Sequence, residues 1–246
     1  MNFYPILKKE IRSYFTSLIA YIILTVFLIL SGHFFYTGLV QFVTWGGASM
    51  QEGLWQYLFH DIRQVLLFTI PLLTMRLFAE EKKLGTIELL FTYPYRDIEI
   101  LMGKFLACVV MLLVMLVLTL LYPVLIAIVY QVEVGPLAAS YLGMFLIGSA
   151  FISCGIMVSS LTENQIVAAL VTYGFILIFW FVDWNEAAAS PVLAEVLHHF
   201  SFFEHFYNFA RGIIDTKDVV YFVLFIFFFL FLTLKSLESR QWRGIR

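Results

Sequence analysis

The sequence predicts an all-α integral membrane domain with six transmembrane helices, and three observations predict it. First, 62% of the 246 residues are hydrophobic and 13% are charged, whereas soluble domains carry about 25% charged residues. Second, six apolar runs come close to or exceed the roughly 20 residues that a spanning helix needs. Third, the charged residues concentrate between those runs. The chain has the length for one such domain, residues 1–246, and no second large domain is expected.

The six predicted spans follow the apolar runs in order. Their predicted bounds are residues 16–38, 62–78, 103–130, 137–160, 166–184 and 219–234. The second run is the least regular, because Arg63 and Arg76 bracket it. Thr162 fits an N-terminal cap for the fifth span, and Asp215 fits one for the sixth.

The distribution of lysine and arginine predicts the orientation. Twelve of the fifteen fall in the N-terminal segment, between the second and third runs, or in the C-terminal segment, and three fall on the other side (Arg63, Arg211 and Lys217). Cytoplasmic loops carry the excess of these residues. We therefore expect a multi-pass protein of the cell (inner) membrane with both termini in the cytoplasm.

The N-terminal segment, residues 2–18, predicts an interfacial amphipathic helix. Apolar residues recur at helical spacing, and cations gather on the other face; the apolar set is Leu7, Ile11, Tyr14, Phe15 and Leu18, and the cations are Lys8, Lys9 and Arg12. Such a helix lies in the membrane interface with its cations toward the headgroups. The alternative is a simple extension of the first span into the cytosol.

The segment before the sixth span predicts two short outer helices. Ser201 and Glu204 fit a capping box, and Gly212 fits a helix end. These helices are too short to span, so they are expected to enter the outer interface or re-enter part way. His198, His199, Glu204 and His205 suggest a metal site, but their spacing is not the His-Glu-x-x-His pattern of a zinc helix, and no metal is predicted.

Several chemistries are disfavoured. The nearest approach to a Walker A loop, residues 102–105, lacks the preceding glycine and the following Ser or Thr, and no Gly-x-Ser-x-Gly elbow occurs. Ion-coupled transporters hold ionisable residues at mid-membrane, and the cores of the third, fifth and sixth predicted spans contain none. The net charge of −2 gives no reason to expect nucleic acid. We predict no catalytic residue and no cofactor in this chain, so energy for transport would come from a partner.

The polar stretch between the second and third spans predicts a surface helix. Residues 80–83 are expected to end the second span in water, Gly85 to break the chain, and Thr86 to cap a new turn. A short helix would follow until Pro94, with Ile87 and Leu90 on its apolar side, and Asp97 would cap the third span. Such a helix suits a groove in another protein, or it rests on lipid headgroups; the residues alone favour neither.

This same stretch resembles the signature of ABC-2 type permeases. In that signature an acidic-basic pair, Gly-Thr, Glu-x-Leu-Leu, a proline and Gly-Lys follow the second span. The matching residues are Glu81, Lys82, Gly85, Thr86, Glu88, Leu89, Leu90, Pro94, Gly103 and Lys104. The resemblance extends over the whole chain, and within the family the sequence is most similar to short permeases associated with gliding motility and nitrous-oxide-reductase maturation.

The resemblance implies a function and partners. Two permeases, either identical copies or paralogues, would pair in the membrane with two cytosolic ATPase subunits that bind the ATP and Mg²⁺. Residues 85–94, together with Glu81, would form the coupling helix that contacts the ATPase, and the direction would be export. The alternatives are a non-transporting membrane anchor or scaffold subunit and, less favoured, an intramembrane enzyme that uses His198, Glu204 and His205.

Overall fold

The computed structural model describes residues 3–44, 54–86, 95–128, 133–181 and 201–241. All regular secondary structure in these ranges is helical, which confirms the predicted all-α fold. The helices are α1 (Tyr4–Thr16), α2 (Leu18–Thr44), α3 (Leu54–Thr74), α4 (Arg76–Lys83), α5 (Asp97–Thr119), α6 (Leu121–Ala127), α7 (Val134–Leu161), α8 (Gln165–Phe181), α9 (Phe202–Ala210) and α10 (Thr216–Gln241).

Five stretches of the described chain are long and apolar enough to cross a membrane. They are Leu18–Gln41, Leu58–Lys83, Asp97–Ala127, Val134–Leu161 and Thr216–Ser239. Helix α8 is apolar but shorter, with 17 residues, and the fifth predicted run continues past Phe181 into residues outside the described ranges. The described residues thus contain five candidate spans and one shorter apolar helix, where six spans were predicted.

The second span is longer than predicted and is broken at Met75, between α3 and α4. Pro71 lies inside α3 and does not account for this break, because proline disturbs the turn that precedes it and the Met75 N–H still donates to the Pro71 carbonyl. A hydroxyl from α7 satisfies the backbone groups there: Ser159 Oγ accepts from the N–H of Phe78 and Ala79 and donates to the carbonyl of Met75. The break is therefore fixed by packing.

Helix α7 lies at the centre of the bundle and packs against α3, α5, α8, α9 and α10. Its glycines allow this close approach. A Cβ would lie 2.5 Å from Cβ of Phe209 if added at Gly143, and 2.1 Å from Oγ1 of Thr74 if added at Gly155. Small residues serve helix packing in membranes in this way. Helices α2 and α10 expose most of their apolar surface instead.

Apolar helices that follow one another along the chain alternate in direction, so the bundle has two ends. One end, here called the α1 end, contains α1, α4, the beginning of α5 and the C-terminal end of α7. The other, the α9 end, holds α9 with the beginnings of α3, α7 and α10. The two candidate sites described next lie one at each end.

Two predicted caps are displaced by one or two residues. Asn164, rather than Thr162, caps α8, since Asn164 Oδ1 accepts from the N–H of Ile166. Helix α5 begins at Asp97 with Arg96 in the N-cap position, so Asp97 is not the cap. Asp215 caps α10 as predicted, because its Oδ1 accepts from the N–H of Lys217. Thr, Asn and Asp all cap well, so spacing alone does not choose between close candidates.

Candidate functional site

Helix α1 is held against the beginning of α5. Ile6, Glu10 and Tyr14 recur every four residues, and all three are buried on the face that meets α5. Gly103 of α5 permits the contact, because a Cβ there would lie 2.7 Å from Cγ2 of Ile6 and 3.3 Å from the backbone nitrogen of Leu7. Gly103 is one of the residues that match the ABC-2 signature, and the packing gives it a physical role, which is to let α1 approach α5.

The predicted amphipathic character of α1 takes a different form in the structure. The cations Lys8, Lys9 and Arg12 are exposed, and Leu7 and Ile11 are partly buried. The most buried face is instead the one that contains Glu10, while Phe15 of the predicted apolar set is 43% exposed. The helix therefore packs on protein through one face. Its position in the membrane interface stays a prediction.

Four charged residues meet where α1, α4 and α5 converge, and we call them the Lys104 cluster: Lys9, Glu10, Glu81 and Lys104. The Lys104 Nζ lies 3.0 Å from Oε1 of Glu10 and 2.9 Å from Oε1 of Glu81. It also donates to the carbonyl of Leu77 at 2.8 Å. Lys9 Nζ lies 3.6 Å from the same Glu81 oxygen. All three N–H donors of the Lys104 ammonium thus have acceptors.

The Lys104 cluster is formally neutral, and its members other than the exposed Lys9 are largely buried. The Lys104 side chain is 1% exposed, and those of Glu10 and Glu81 are 11% and 17% exposed. Withdrawing such charges from water costs several kcal/mol per ion, and breaking a buried pair from one side costs about 3–5 kcal/mol. Separating α1, α4 and α5 would leave these buried charges without their partners and would cost this free energy. The three helices are therefore expected to move together.

The prediction that residues 80–83 end the second span in water is wrong for two of them. Glu81 belongs to the Lys104 cluster, and Lys82 is buried, with its Nζ donating to the carbonyl of Ser160 at the end of α7. Lys83 is exposed, as expected. The sequence could have indicated this burial in part. Four residues complete more than one helical turn, so a run of four charged residues places some of them on the inward face.

The far end of α1 is tied to α3 and α4. Arg76 Nη1 donates to Ser17 Oγ at 2.6 Å, and its guanidinium lies 4.8 Å from the ring centre of Tyr14. The Tyr14 hydroxyl in turn donates to the carbonyl of Leu73 at 3.3 Å. Burial, with a contribution from neighbouring Cys108, raises the pKa of the Tyr14 hydroxyl. The hydroxyl therefore stays protonated and keeps its role as a donor.

A cavity of about 460 Å³ lies between α1 and α4. Its lining is largely polar and includes Lys9, Glu10, Ser13, Arg76, Glu80 and Glu81. Beyond it α4 ends at Gly85, whose φ of +69° is a backbone conformation that glycine adopts most easily. Thr86 closes this end, since its Oγ1 donates to the carbonyl of Glu81 at 3.3 Å.

Only part of the predicted coupling segment is described. Glu81, Gly85 and Thr86 lie together at the end of α4, next to the Lys104 cluster. The predicted contact residues Ile87, Glu88, Leu89, Leu90 and Pro94 lie outside the described residues. The chain is described again from Tyr95, which packs against the core just before α5. Both ends of the segment are therefore attached to helices that meet at the Lys104 cluster.

A buried cation also lies at the α9 end. Arg63 of α3 is 1% exposed, although the sequence placed it at the edge of a span. Its Cζ lies 4.2 Å from the ring centre of Trp180, 4.8 Å from that of Phe203 and 5.0 Å from that of Phe206. We call these four residues the Arg63 cage. Cation–π contacts of this kind are worth about 2 kcal/mol or more when desolvated.

Helix α9 supplies two walls of the Arg63 cage and is held in place by polar contacts. The Ser201 Oγ accepts from the N–H of Phe203 and of Glu204, which is the N-cap geometry expected for that serine. His205 Nδ1 lies 2.6 Å from Oδ1 of Asp218, at the start of α10. Sequence reasoning considered His205 for metal binding and missed this contact. His198 lies outside the described residues.

Comparison with known proteins gives one family. The sequence model of the family described as ABC-2 family transporter protein matches residues 4–218. The match covers α1 to α9 and the beginning of α10, and it includes both ends of the predicted coupling segment. Comparison with the curated proteins gives no match. The chain therefore belongs to the ABC-2 family of transporter proteins, the membrane-spanning permease components of ABC transporters.

Proposed function

We propose that this chain is the permease subunit of an exporter in the inner membrane, and that a separate cytosolic ATPase drives it through residues 85–94. The observation that carries the proposal is the Lys104 cluster, which joins α1, α4 and α5 directly beside Gly85. A force applied to the coupling segment would reach α4 through Gly85 and α5 through Asp97. The cluster would then carry it to α1.

The proposed coupling residues have separate roles. Glu81 holds α4 to Lys104, while Gly85 and Thr86 set the direction in which the segment leaves α4. The apolar residues Ile87, Leu89 and Leu90 would enter a groove of the ATPase, with Glu88 on the polar side and Pro94 ending the helix. Burying one leucine in such a groove contributes about 1.5–3 kcal/mol. ATP and Mg²⁺ would bind to the ATPase, with no nucleotide site in this chain.

The proposed topology has six spans and cytoplasmic termini. Helix α8 would complete the sixth span through the residues that follow Phe181. Described cations of the α1 end include Lys8, Lys9, Lys83 and Lys104, which supports a cytoplasmic location for that end. A second permease copy or a paralogue would complete the transporter, and the exposed apolar faces of α2 and α10 leave room for it as well as for lipid.

The test of the function is whether the permease retains its ATPase. We expect Leu90→Asp to abolish co-purification with the cognate ATPase and ATP hydrolysis in lipid, because a buried unpaired carboxylate reverses the gain from the leucine. Leu84→Asp is the matched control: Leu84 is 67% exposed and precedes Gly85, so this variant should retain most binding.

Two results would count against the proposal. Full ATPase binding and transport by Leu90→Asp would show that residues 85–94 rest on the membrane surface. A wild-type protein that never binds an ABC ATPase would favour the anchor or scaffold alternative. Both variants must first be shown to insert in the membrane and to elute as folded protein.

A further inference from the structure

The Arg63 cage contains a cation that its described surroundings do not neutralise. Arg63 is 1% exposed within the candidate span Leu58–Lys83. Its Nε and Nη2 have no hydrogen-bond partner among the described residues. Those two nitrogens carry three of the five N–H donors of the guanidinium. An ionisable residue inside a membrane span marks a functional site by default.

The nearest described side chains do not supply an acceptor. Three aromatic faces surround the guanidinium, and they attract its charge but do not replace an oxygen acceptor. Asp61 is two positions away on the same helix, where side chains do not face each other, and its carboxylate lies 3.7 Å from Nδ1 of His60. Asp218 is bonded to His205 and to Asn208. No ion pair to Arg63 occurs in the described part of the chain.

We propose that the Arg63 cage binds the oxyanion headgroup, phosphate or carboxylate, of an amphipathic molecule. The inference rests on the proposed transport function and names the chemical class of its ligand. A guanidinium presents parallel N–H donors that match two oxygens of such a group. The aromatic walls would contact the apolar part of the same molecule, as ligand sites with one charged residue among aromatic side chains commonly do.

The cage offers a route to its buried cation. Phe203 is 37% exposed and Trp180 is partly exposed, whereas Phe206 is buried. Phe203 lies on α9, next to its cap at Ser201. Rotation of the Phe203 ring would open the cage from the surface and leave α3 and its backbone hydrogen bonds intact. An amphipathic ligand could enter there with its apolar part still in contact with aromatic surface.

The experiment measures anion binding by the full-length permease without its ATPase. Thermal unfolding of the protein in a neutral detergent is followed against added octyl phosphate, decanoate and octyl glucoside. We expect saturable stabilisation by the two anions and none by octyl glucoside. Arg63→Gln should weaken octyl phosphate binding at least tenfold, and Arg63→Lys should weaken it less, because lysine keeps the charge without the planar fork.

The matched control is Arg76→Gln. Arg76 is also an arginine of the same span that stacks on an aromatic ring, but it bonds to Ser17 at the α1 end. This variant should bind octyl phosphate as the wild type does. Equal binding by wild type and Arg63→Gln would overturn the proposal, and so would a wild type that binds neither anion. If Arg63→Gln does not fold, Arg63→Lys replaces it: weaker octyl phosphate binding in Arg63→Lys than in Arg76→Gln is expected, and equal binding by these two variants would overturn the proposal.

A second arm identifies the source of the headgroup. Lipids extracted from the purified proteins are measured by mass spectrometry. Anionic phospholipid that co-purifies with wild type and Arg76→Gln but not with Arg63→Gln would support the site and identify a membrane lipid. Octyl phosphate binding that depends on Arg63, without retained lipid, would support the site and identify a ligand other than a bound membrane lipid. Because the ATPase is absent from both arms, a failure here is distinct from a failure of ATPase co-purification.

Discussion

Lys104 and Arg63 are both buried cations of candidate membrane spans, each 1% exposed, but their surroundings differ. Lys104 lies between two carboxylates and a backbone carbonyl. Arg63 lies between aromatic rings, and two of its nitrogens have no acceptor among the described residues. A cation whose donors are all satisfied binds helices together. A cation whose donors are not satisfied is suited to bind something else.

The comparison also separates the two ends of the molecule. At the α1 end the charges are matched within the chain, which suits an element that must transmit force without coming apart. At the α9 end the charge is surrounded by apolar surface, which suits a site that receives an amphipathic molecule. Five substitutions test this distinction, and they differ in the size of the effect expected.

The largest effect is expected from Lys104→Met. The change removes the cation but leaves Glu10 and Glu81 buried and facing each other, and breaking a buried pair in this way costs about 3–5 kcal/mol. Chemical unfolding of the purified protein in detergent measures the loss. Combining Lys104→Met with Glu10→Gln and Glu81→Gln should recover at least half of the lost stability. A loss below about 1 kcal/mol for the single change would contradict the buried cluster.

Much of the fold could be predicted from the sequence, for a physical reason. A membrane span must satisfy its backbone hydrogen bonds internally, so a long apolar run has few structures available to it. Five candidate spans and the glycine ends at Gly85 and Gly212 follow from composition and local chemistry. The end of the fifth predicted span lies outside the described residues, because α8 is described only as far as Phe181.

The surroundings of Lys104 and Arg63 could not be predicted in the same way. Lys104 meets Glu10 across 94 positions of the chain, and no local pattern encodes a contact at that separation. The sequence treated Arg63 as the boundary of a span, because a charge usually ends an apolar run. Its burial depends on Trp180 and Phe206, which come from two other helices. Tertiary packing, not periodicity, decides both sites.

The next largest effect should distinguish two adjacent lysines. Lys82 is buried and donates to a carbonyl at the end of α7, whereas Lys83 is exposed. Lys82→Met should cost about 1.5–3 kcal/mol, the usual value of a hydrogen bond to a charged group, and Lys83→Met should stay within about 0.5 kcal/mol. The same unfolding assay applies. Equal effects at both positions would show that Lys82 is not bonded to α7.

Gly103→Ala tests whether close packing positions the Lys104 cluster. The added methyl group would approach Ile6 and the backbone of Leu7, and overpacking of this kind costs about 1–3 kcal/mol. Gly174→Ala in α8 is the matched control, since a Cβ there meets nothing within 4 Å. Loss of stability at Gly103 alone is the expected result of thermal unfolding. Equal tolerance at the two positions would mean that α1 does not press on α5.

Ser201→Ala probes the helix that forms two walls of the Arg63 cage. The hydroxyl accepts two backbone N–H groups at the start of α9, and loss of such a cap costs about 1 kcal/mol. Hydrogen exchange across Phe202–Ala210 should become faster in the variant. Ser239→Ala is a control, because that exposed serine bonds only within its own helix turn. Rapid exchange in the wild type would contradict a folded α9.

The smallest effect is expected from Arg63→Met, and it closes the comparison with Lys104. Methionine removes the same unit of charge at the same burial, but no described carboxylate is left unpaired behind it. The variant no longer has the free-energy cost of burying a charged guanidinium, and this should offset the lost contacts with Trp180, Phe203 and Phe206. The free energy of unfolding should therefore change by less than about 1 kcal/mol. The free energies of unfolding of Arg63→Met and Lys104→Met are measured side by side, after any bound anion has been washed away in neutral detergent. A loss at Arg63 as large as that at Lys104 would mean that a carboxylate of this chain pairs with Arg63. Lys104 and Arg63 would then play the same structural role.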